Sequence, residues 1–331
     1  MCFIMAMSLS ACVPTSSQAP TTSSSSSVSS DPTADTHPAL PPSLSIPAFA
    51  AMPLSGNDFV FQDIESDTDA YTRYRITYGS NGLRITGILN LPHGKGPFPL
   101  VILNHGYIDP KIYTTGRGLR REQDYLARQG FAVLHPDYRG HAGSDPSPDQ
   151  KKIYDAGIEY SIDVMNAIIA LTILGDPRID LDHIGMLGHS MGGGVTLNVA
   201  VAYPDMIDAV VLYAPVNSDA WENFSRWRSK REEGDRTIDA LGTRKADPER
   251  WNLLSSRAYL DRIHAPVLLF QGSNDKDVPK EWSDDLAARL TDEHKDIQYV
   301  VLDGEGHEFI KKFSDFMQQT TVFFKENLLA K

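Results

Sequence analysis

Gly188-His189-Ser190-Met191-Gly192 stands directly after the apolar run His183-Ile184-Gly185-Met186-Leu187 and just ahead of the helix-forming stretch Val195–Ala202. A serine between two glycines at this spacing is the pattern of a nucleophile elbow, in which a strand turns sharply into a helix and holds the hydroxyl at the apex. The turn forces the serine into a strained backbone conformation. Glycines two residues either side let strand and helix approach without side-chain collision. The chemistry of such a serine is attack on a carbonyl carbon, provided that a base takes its proton. The only cysteines are Cys2 and Cys12, so beyond the N-terminal tail Ser190 has no thiol competitor.

A serine of this kind is served by an acid and a histidine that follow it in the order Ser, Asp or Glu, His. Two late histidines compete. His294 lies in the polar stretch Thr291-Asp292-Glu293-His294-Lys295-Asp296 and reads as a solvated surface residue. His307 follows the run Ile297–Leu302 in the loop Asp303-Gly304-Glu305-Gly306-His307. Loops just past strand C-termini are where open α/β sheets place their sites, so His307 is the expected general base. The acid is expected in Gly272-Ser273-Asn274-Asp275-Lys276-Asp277-Val278-Pro279, after the apolar strand 266–271. Either Asp275 or Asp277 can reach an imidazole from so short a loop.

Around these residues the chain resembles the α/β-hydrolase superfamily, and in particular the catalytic domain of the prolyl oligopeptidase family of serine peptidases. The segment from Gly272 to Pro279 is similar to that family's G-x-x-D-x-x-V-P signature, which implies Asp275 as the acid and leaves Asp277 as a loop or helix-cap carboxylate. Asn104-His105-Gly106-Tyr107 resembles the H-G-x segment that supplies half of the oxyanion hole. The resemblance implies the backbone N–H of Tyr107 as one donor, with that of Met191 as the other. Asp137-Tyr138-Arg139-Gly140-His141-Ala142-Gly143-Ser144 and Asp176-Pro177-Arg178-Ile179-Asp180 are similar to further recurring turns, all in the family's order. The implied reaction is acyl transfer on a small ester or peptide substrate, with no cofactor and no metal. The alternative is a binding protein that keeps the scaffold without the chemistry. The large N-terminal propeller of the oligopeptidases has no counterpart in these residues.

The elements that must position these groups follow from hydrophobic pattern. Stretches 59–64, 74–78 and 85–90 read as early strands, with Ser80-Asn81-Gly82 as a hairpin turn. Strands at 100–103, 131–135, 183–187 and 209–213 then alternate with helices at 119–129, 153–174 and after the elbow. Such alternation predicts a mostly parallel central sheet flanked by helices. Between 216 and 264 the pattern gives way to a polar insertion carrying Trp221, Phe224, Trp227 and Trp251, which reads as a small cap over the site.

Residues 49–331 suit one α/β domain, and the net charge of −12, spread without long acidic blocks, argues against a nucleic-acid partner. No stretch beyond Ala48 is apolar for long enough to span a bilayer. Residues 1–48 differ in composition: Leu9-Ser10-Ala11-Cys12 resembles a bacterial lipoprotein lipobox, and the Ser/Thr/Pro-rich run from Pro14 to Pro47 reads as a disordered tether. The resemblance implies cleavage before Cys12, lipidation of that residue, and a location on the outer face of the bacterial cell envelope. Membrane contact is then expected only through this anchor.

Overall fold

The computed structural model describes residues 44–148 and 153–329. Nine strands form one sheet in the order β1-β2-β3-β5-β4-β6-β7-β8-β9. The first three, β1 (Asn57–Asp67), β2 (Tyr71–Ser80) and β3 (Leu83–Pro92), pair antiparallel. Asn81 and Gly82 close the β2–β3 hairpin, both at positive φ. β3 is also antiparallel to β5 (Ala132–Pro136). From there β5, β4 (Phe98–Asn104), β6 (Ile179–His189), β7 (Ala209–Tyr213), β8 (Val267–Gly272) and β9 (Ile297–Leu302) run parallel.

The central strands are buried on both faces, which is why Leu100–Leu103, Ala209–Tyr213 and Val267–Phe270 are unbroken apolar runs rather than alternating ones. One face packs against α3 (Ile158–Leu174), α4 (Met191–Ala202) and α8 (Lys280–Asp292). The other packs against α2 (Arg120–Arg128) and α9 (Phe313–Leu328). Strand β1 is one of the two sheet edges, and Asp58, Asp63, Glu65 and Asp67 place charge along it, which disfavours pairing with a further strand.

Several strands run longer than the pattern reading, and two starts differ for a physical reason. Helix α3 starts at Ile158 instead of Ile153, because Gly157 sits at φ 78° and the Asp155 carboxylate accepts from the N–H groups of Gly157 and Glu159. Leu44 and Ile46, which composition placed in the tether, are buried in the core. Ser45 caps the short helix α1 (Ile46–Ala50) by accepting from the Ala48 N–H at 3.1 Å, and Pro47 occupies its first turn. Serine and proline serve there as helix-start residues, a role that composition does not separate from linker. The lipobox, Cys12 and the rest of the tether lie outside the described residues.

The insertion after β7 is a small helical cap. It comprises α5 (Ala220–Asn223), which continues into a π-helical turn Phe224–Arg228, then α6 (Glu233–Leu241), α7 (Pro248–Leu254) and a 3₁₀ stretch Ser256–Arg262. Trp251 anchors it, fully buried, with Trp221 edge-on at 4.9 Å and Phe224 at 5.1 Å. Arg257 ties cap to body, bridging Asp219 at 3.3 Å and Asp285 of α8 at 2.7 Å.

Candidate active site

Ser190 stands between β6 and α4 with φ 54° and ψ −119°, a conformation that L-residues avoid. Three hydrogen bonds hold it there. Its N–H donates to Tyr213 O at 3.0 Å, while its carbonyl accepts from Gly193 N–H at 2.9 Å and Val216 N–H at 3.0 Å. The flanking glycines are required by space. A Cβ on Gly192 would lie 1.9 Å from Asn104 O, and one on Gly188 would lie 2.2 Å from Gly192 O.

His307 comes from the loop after β9, and its Nδ1 donates to Asp275 Oδ2 at 2.8 Å. That leaves Nε2 as the atom that can accept a proton. The Asp275 side chain is buried and heavily hydrogen-bonded: Oδ1 accepts from the N–H groups of Asp277 and Val278, each at 2.9 Å, and Oδ2 also accepts from Gln271 Nε2 at 3.0 Å. Burial pushes this carboxyl's pKa up, yet His307 and the two N–H donors outweigh it and leave the pKa below its ordinary value. Asp277 lends only its backbone here, and its side chain is exposed. Ligating atoms of Asp275, Asp277 and His307 lie within 4.8 Å of one another. Both oxygens of Asp275 are already committed to hydrogen-bond donors, which suits a histidine–carboxylate pair better than a cation.

Three supporting residues escaped the sequence reading. Gln271 ends the apolar strand β8 and accepts from Ser283 Oγ at 2.8 Å through Oε1, which aims its amide N–H₂ at Asp275. A polar residue closing a buried run was the visible signal. Glu305 is buried and accepts from Ile310 N–H at 2.9 Å and Lys312 N–H at 2.6 Å, bracing the loop that carries His307. His189 stacks on His307 with ring centroids 4.6 Å apart and donates from Nε2 to the His307 carbonyl at 3.2 Å. Burial and the neighbouring His307 push its pKa down to about 3, so it stays neutral.

The segment after β4 passes against the serine: a Cβ on Gly106 would lie 3.1 Å from Ser190 Cβ. His105 Nδ1 donates to Gly106 O at 2.7 Å. That carbonyl belongs to the same peptide plane as the Tyr107 N–H, so holding it fixes the direction of the N–H. Met191 opens α4, where the first N–H groups have no partner within the helix. Tyr107, Met191, Ser190 and His307 line a chamber of about 900 Å³ beneath the cap. Ser190, His307 and Tyr107 also border a small cleft of about 120 Å³ beside Ile108 and Glu308. Of the cap aromatics singled out by sequence, Trp227 lines the chamber, whereas Trp221, Phe224 and Trp251 pack the cap's own core.

The parallel sheet, the strained serine elbow and the late loops at its C-terminal edge define an α/β-hydrolase. Residues 117–330 match the model of the prolyl oligopeptidase family, and the chain belongs to that family of serine peptidase-like hydrolases. It is 30% identical over 227 residues to an uncharacterized peptidase, YtmA, of Bacillus subtilis, covering 68% of this chain and 82% of that one. The acylaminoacyl peptidase of Pyrococcus horikoshii superposes with a TM-score of 0.65 at 20% identity, covering 79% of this chain and 43% of that one. An acetyl xylan esterase from Paenibacillus sp. R4 gives 0.62 at 18% identity, covering 84% and 91%. This chain thus spans less than half the length of the acylaminoacyl peptidase and nearly the whole of the esterase.

Proposed function

We propose that the protein hydrolyses esters, and more slowly amides, by acyl transfer through Ser190, His307 and Asp275. Ser190 Oγ attacks the carbonyl carbon while its proton passes to His307 Nε2, and Asp275 stabilises the imidazolium that forms. The N–H groups of Met191 and Tyr107 receive the oxyanion, each worth about 3 kcal/mol in serine hydrolases generally. Collapse of the tetrahedral intermediate breaks the bond to the alcohol or amine, which leaves with the proton from His307. Water then repeats the sequence on the acyl-serine and releases the acid. The observation that carries this reading is the strained Ser190 opening on the same chamber as His307, whose Nδ1 is already engaged by Asp275.

Ester preference rests on leaving-group chemistry and on architecture. An amine must be protonated to depart, which asks more of the same base than an alcohol does. The chain also matches the acetyl xylan esterase along nearly its full length. Purified protein should cleave short-chain 4-nitrophenyl esters faster than aminoacyl anilides, and Ser190→Ala should lose both activities along with fluorophosphonate labelling. Strong anilide turnover with negligible ester turnover would make the protein a peptidase instead.

We further propose that Cys12 is the lipidated N-terminus of the mature protein and anchors it to the outer face of a bacterial membrane. The lipobox-like Leu9-Ser10-Ala11-Cys12 and the long polar run behind it support this. Dual or triple acylation gives stable anchoring where one chain does not. Intact-mass analysis of membrane-fraction protein should show a diacylglyceryl cysteine at its start, and an unmodified terminus upstream of Cys12 would exclude it.

A further inference from the structure

The cap segment Arg226-Trp227-Arg228-Ser229-Lys230-Arg231 gathers four cations in six residues, on a chain whose net charge is −12. Two of them face the reaction. The Arg228 and Arg231 guanidinium carbons lie 5.7 and 5.4 Å from the ring centroid of Tyr107, whose backbone N–H is a proposed oxyanion donor. Both arginines line the large chamber.

Of the chamber's own carboxylates, Glu159 and Asp155 are committed elsewhere, Glu233 is held by Arg228, and Asp277 is exposed. Glu159 is held by Arg139 at 3.2 Å and Ser147 at 2.7 Å. Asp155 caps α3 with both oxygens. Glu233 pairs with Arg228 at 3.0 Å. Among the described residues no ion pair engages Arg231, although it overlooks the chamber. Arg236, also on the chamber wall, has a buried Nε with no hydrogen-bond partner. Ser218 is 4% exposed, borders the same space, and its Oγ is likewise without a partner. Both of these atoms lie beneath the accessible surface, so the exposed Arg231 is the group that a ligand in the chamber meets. A guanidinium fork matches the planar, two-oxygen geometry of a carboxylate.

We propose that the chamber selects substrates carrying a carboxylate on the portion that lies beneath the cap, held by Arg231 with Arg228 over the Tyr107 ring. The chemical class is an acidic half-ester or an acidic side chain of a peptide. The proposal rests on the serine-hydrolase reading and narrows it from acyl compounds in general to anionic ones.

Two matched pairs test it on the full-length protein. Mono-(4-nitrophenyl) glutarate against 4-nitrophenyl butyrate places the charge on the acyl side, and 4-acetoxybenzoate against phenyl acetate places it on the leaving side. In one pair the anionic member is favoured in kcat/KM by roughly tenfold, the size of one hydrogen bond to a charged group, with the difference carried by KM. That ratio falls toward one in Arg231→Ala and at high salt, and recovers in part in Arg231→Lys. Equal rates within both pairs, or a ratio that survives Arg231→Ala, overturn the proposal. Calorimetric titration of Ser190→Ala with glutarate separates the two readings. Binding that is lost in Ser190→Ala/Arg231→Ala supports the anion site even if no ester is turned over, an outcome that would remove only the hydrolase reading. Turnover of neutral esters without preference or binding keeps the hydrolase and removes the anion site.

Discussion

His189 holds His307 from behind: the two rings lie 4.6 Å apart, and the His189 Nε2–H reaches the His307 carbonyl at 3.2 Å. The residue just before Ser190 therefore braces the loop that carries His307, across 118 positions of sequence. His189→Leu should lower kcat by about tenfold or more with little change in KM, because a small displacement of a catalytic group is felt mainly in the transition state. His189→Gln, which keeps a donor, should recover part of the rate. Steady-state kinetics of both variants with one ester measures this.

Asp275 predicts a pH dependence with a definite sign. Its folded-state pKa lies below the ordinary 3.8, so ionised Asp275 stabilises the native state above that value. The contribution is lost as pH falls through the lower, folded-state value. Wild type should exceed Asp275→Asn in thermal stability at neutral pH, and the gap should close on acidification below about pH 4. Melting curves of the two proteins between neutral and acidic pH read the difference.

Arg226 fastens the cap to the loop that carries Asp275. Its guanidinium lies 5.5 and 5.7 Å from the ring centroids of Trp227 and Trp282 and donates from Nη2 to the Asp277 carbonyl at 2.9 Å. Asp277 in turn gives its N–H to Asp275. Arg226→Ala should reduce kcat several-fold while changing the melting temperature by only a few degrees, since the side chain is exposed. Loss of melting cooperativity with retained specific activity would assign Arg226 to cap stability alone.

Glu305 is 3% exposed, and its carboxylate accepts two backbone N–H groups from the segment after His307. Glu305→Ala removes the acceptor of two part-buried N–H groups and should cost about 2 kcal/mol of stability, together with a fall in kcat. Glu305→Gln, with one acceptor oxygen left, should fall between. Urea denaturation paired with kinetics separates the two effects.

Much of the proposed site is legible in the sequence because its signals are local. The elbow needs glycines at fixed offsets, and the spacing 1.9 Å from a would-be Gly192 Cβ to Asn104 O is the physical reason that pattern exists. The loops after β8 and β9 announced themselves through the apolar runs before them. What stayed out of reach depends on partners distant in sequence. Residue physics left Asp275 and Asp277 equivalent. Their difference is that one side chain turns inward to two N–H groups and Gln271 while the other points to solvent. The part played by Arg226 in the polar insertion was hidden because its acceptors are the backbone carbonyls of Lys276 and Asp277, some fifty residues away. The start of the folded unit was hidden for another reason: serine and proline mark a helix start and a linker with the same letters.

The covalent intermediate on Ser190 tests the account most directly. Protein mixed with 4-nitrophenyl acetate, quenched in acid within the first turnover and digested, should carry one acetyl group on the peptide containing Ser190. His307→Ala should acylate far more slowly, and folded Ser190→Ala should carry no acetyl group at all. Acylation of another residue, or undiminished ester turnover by folded Ser190→Ala, would contradict the nucleophile and with it the mechanism.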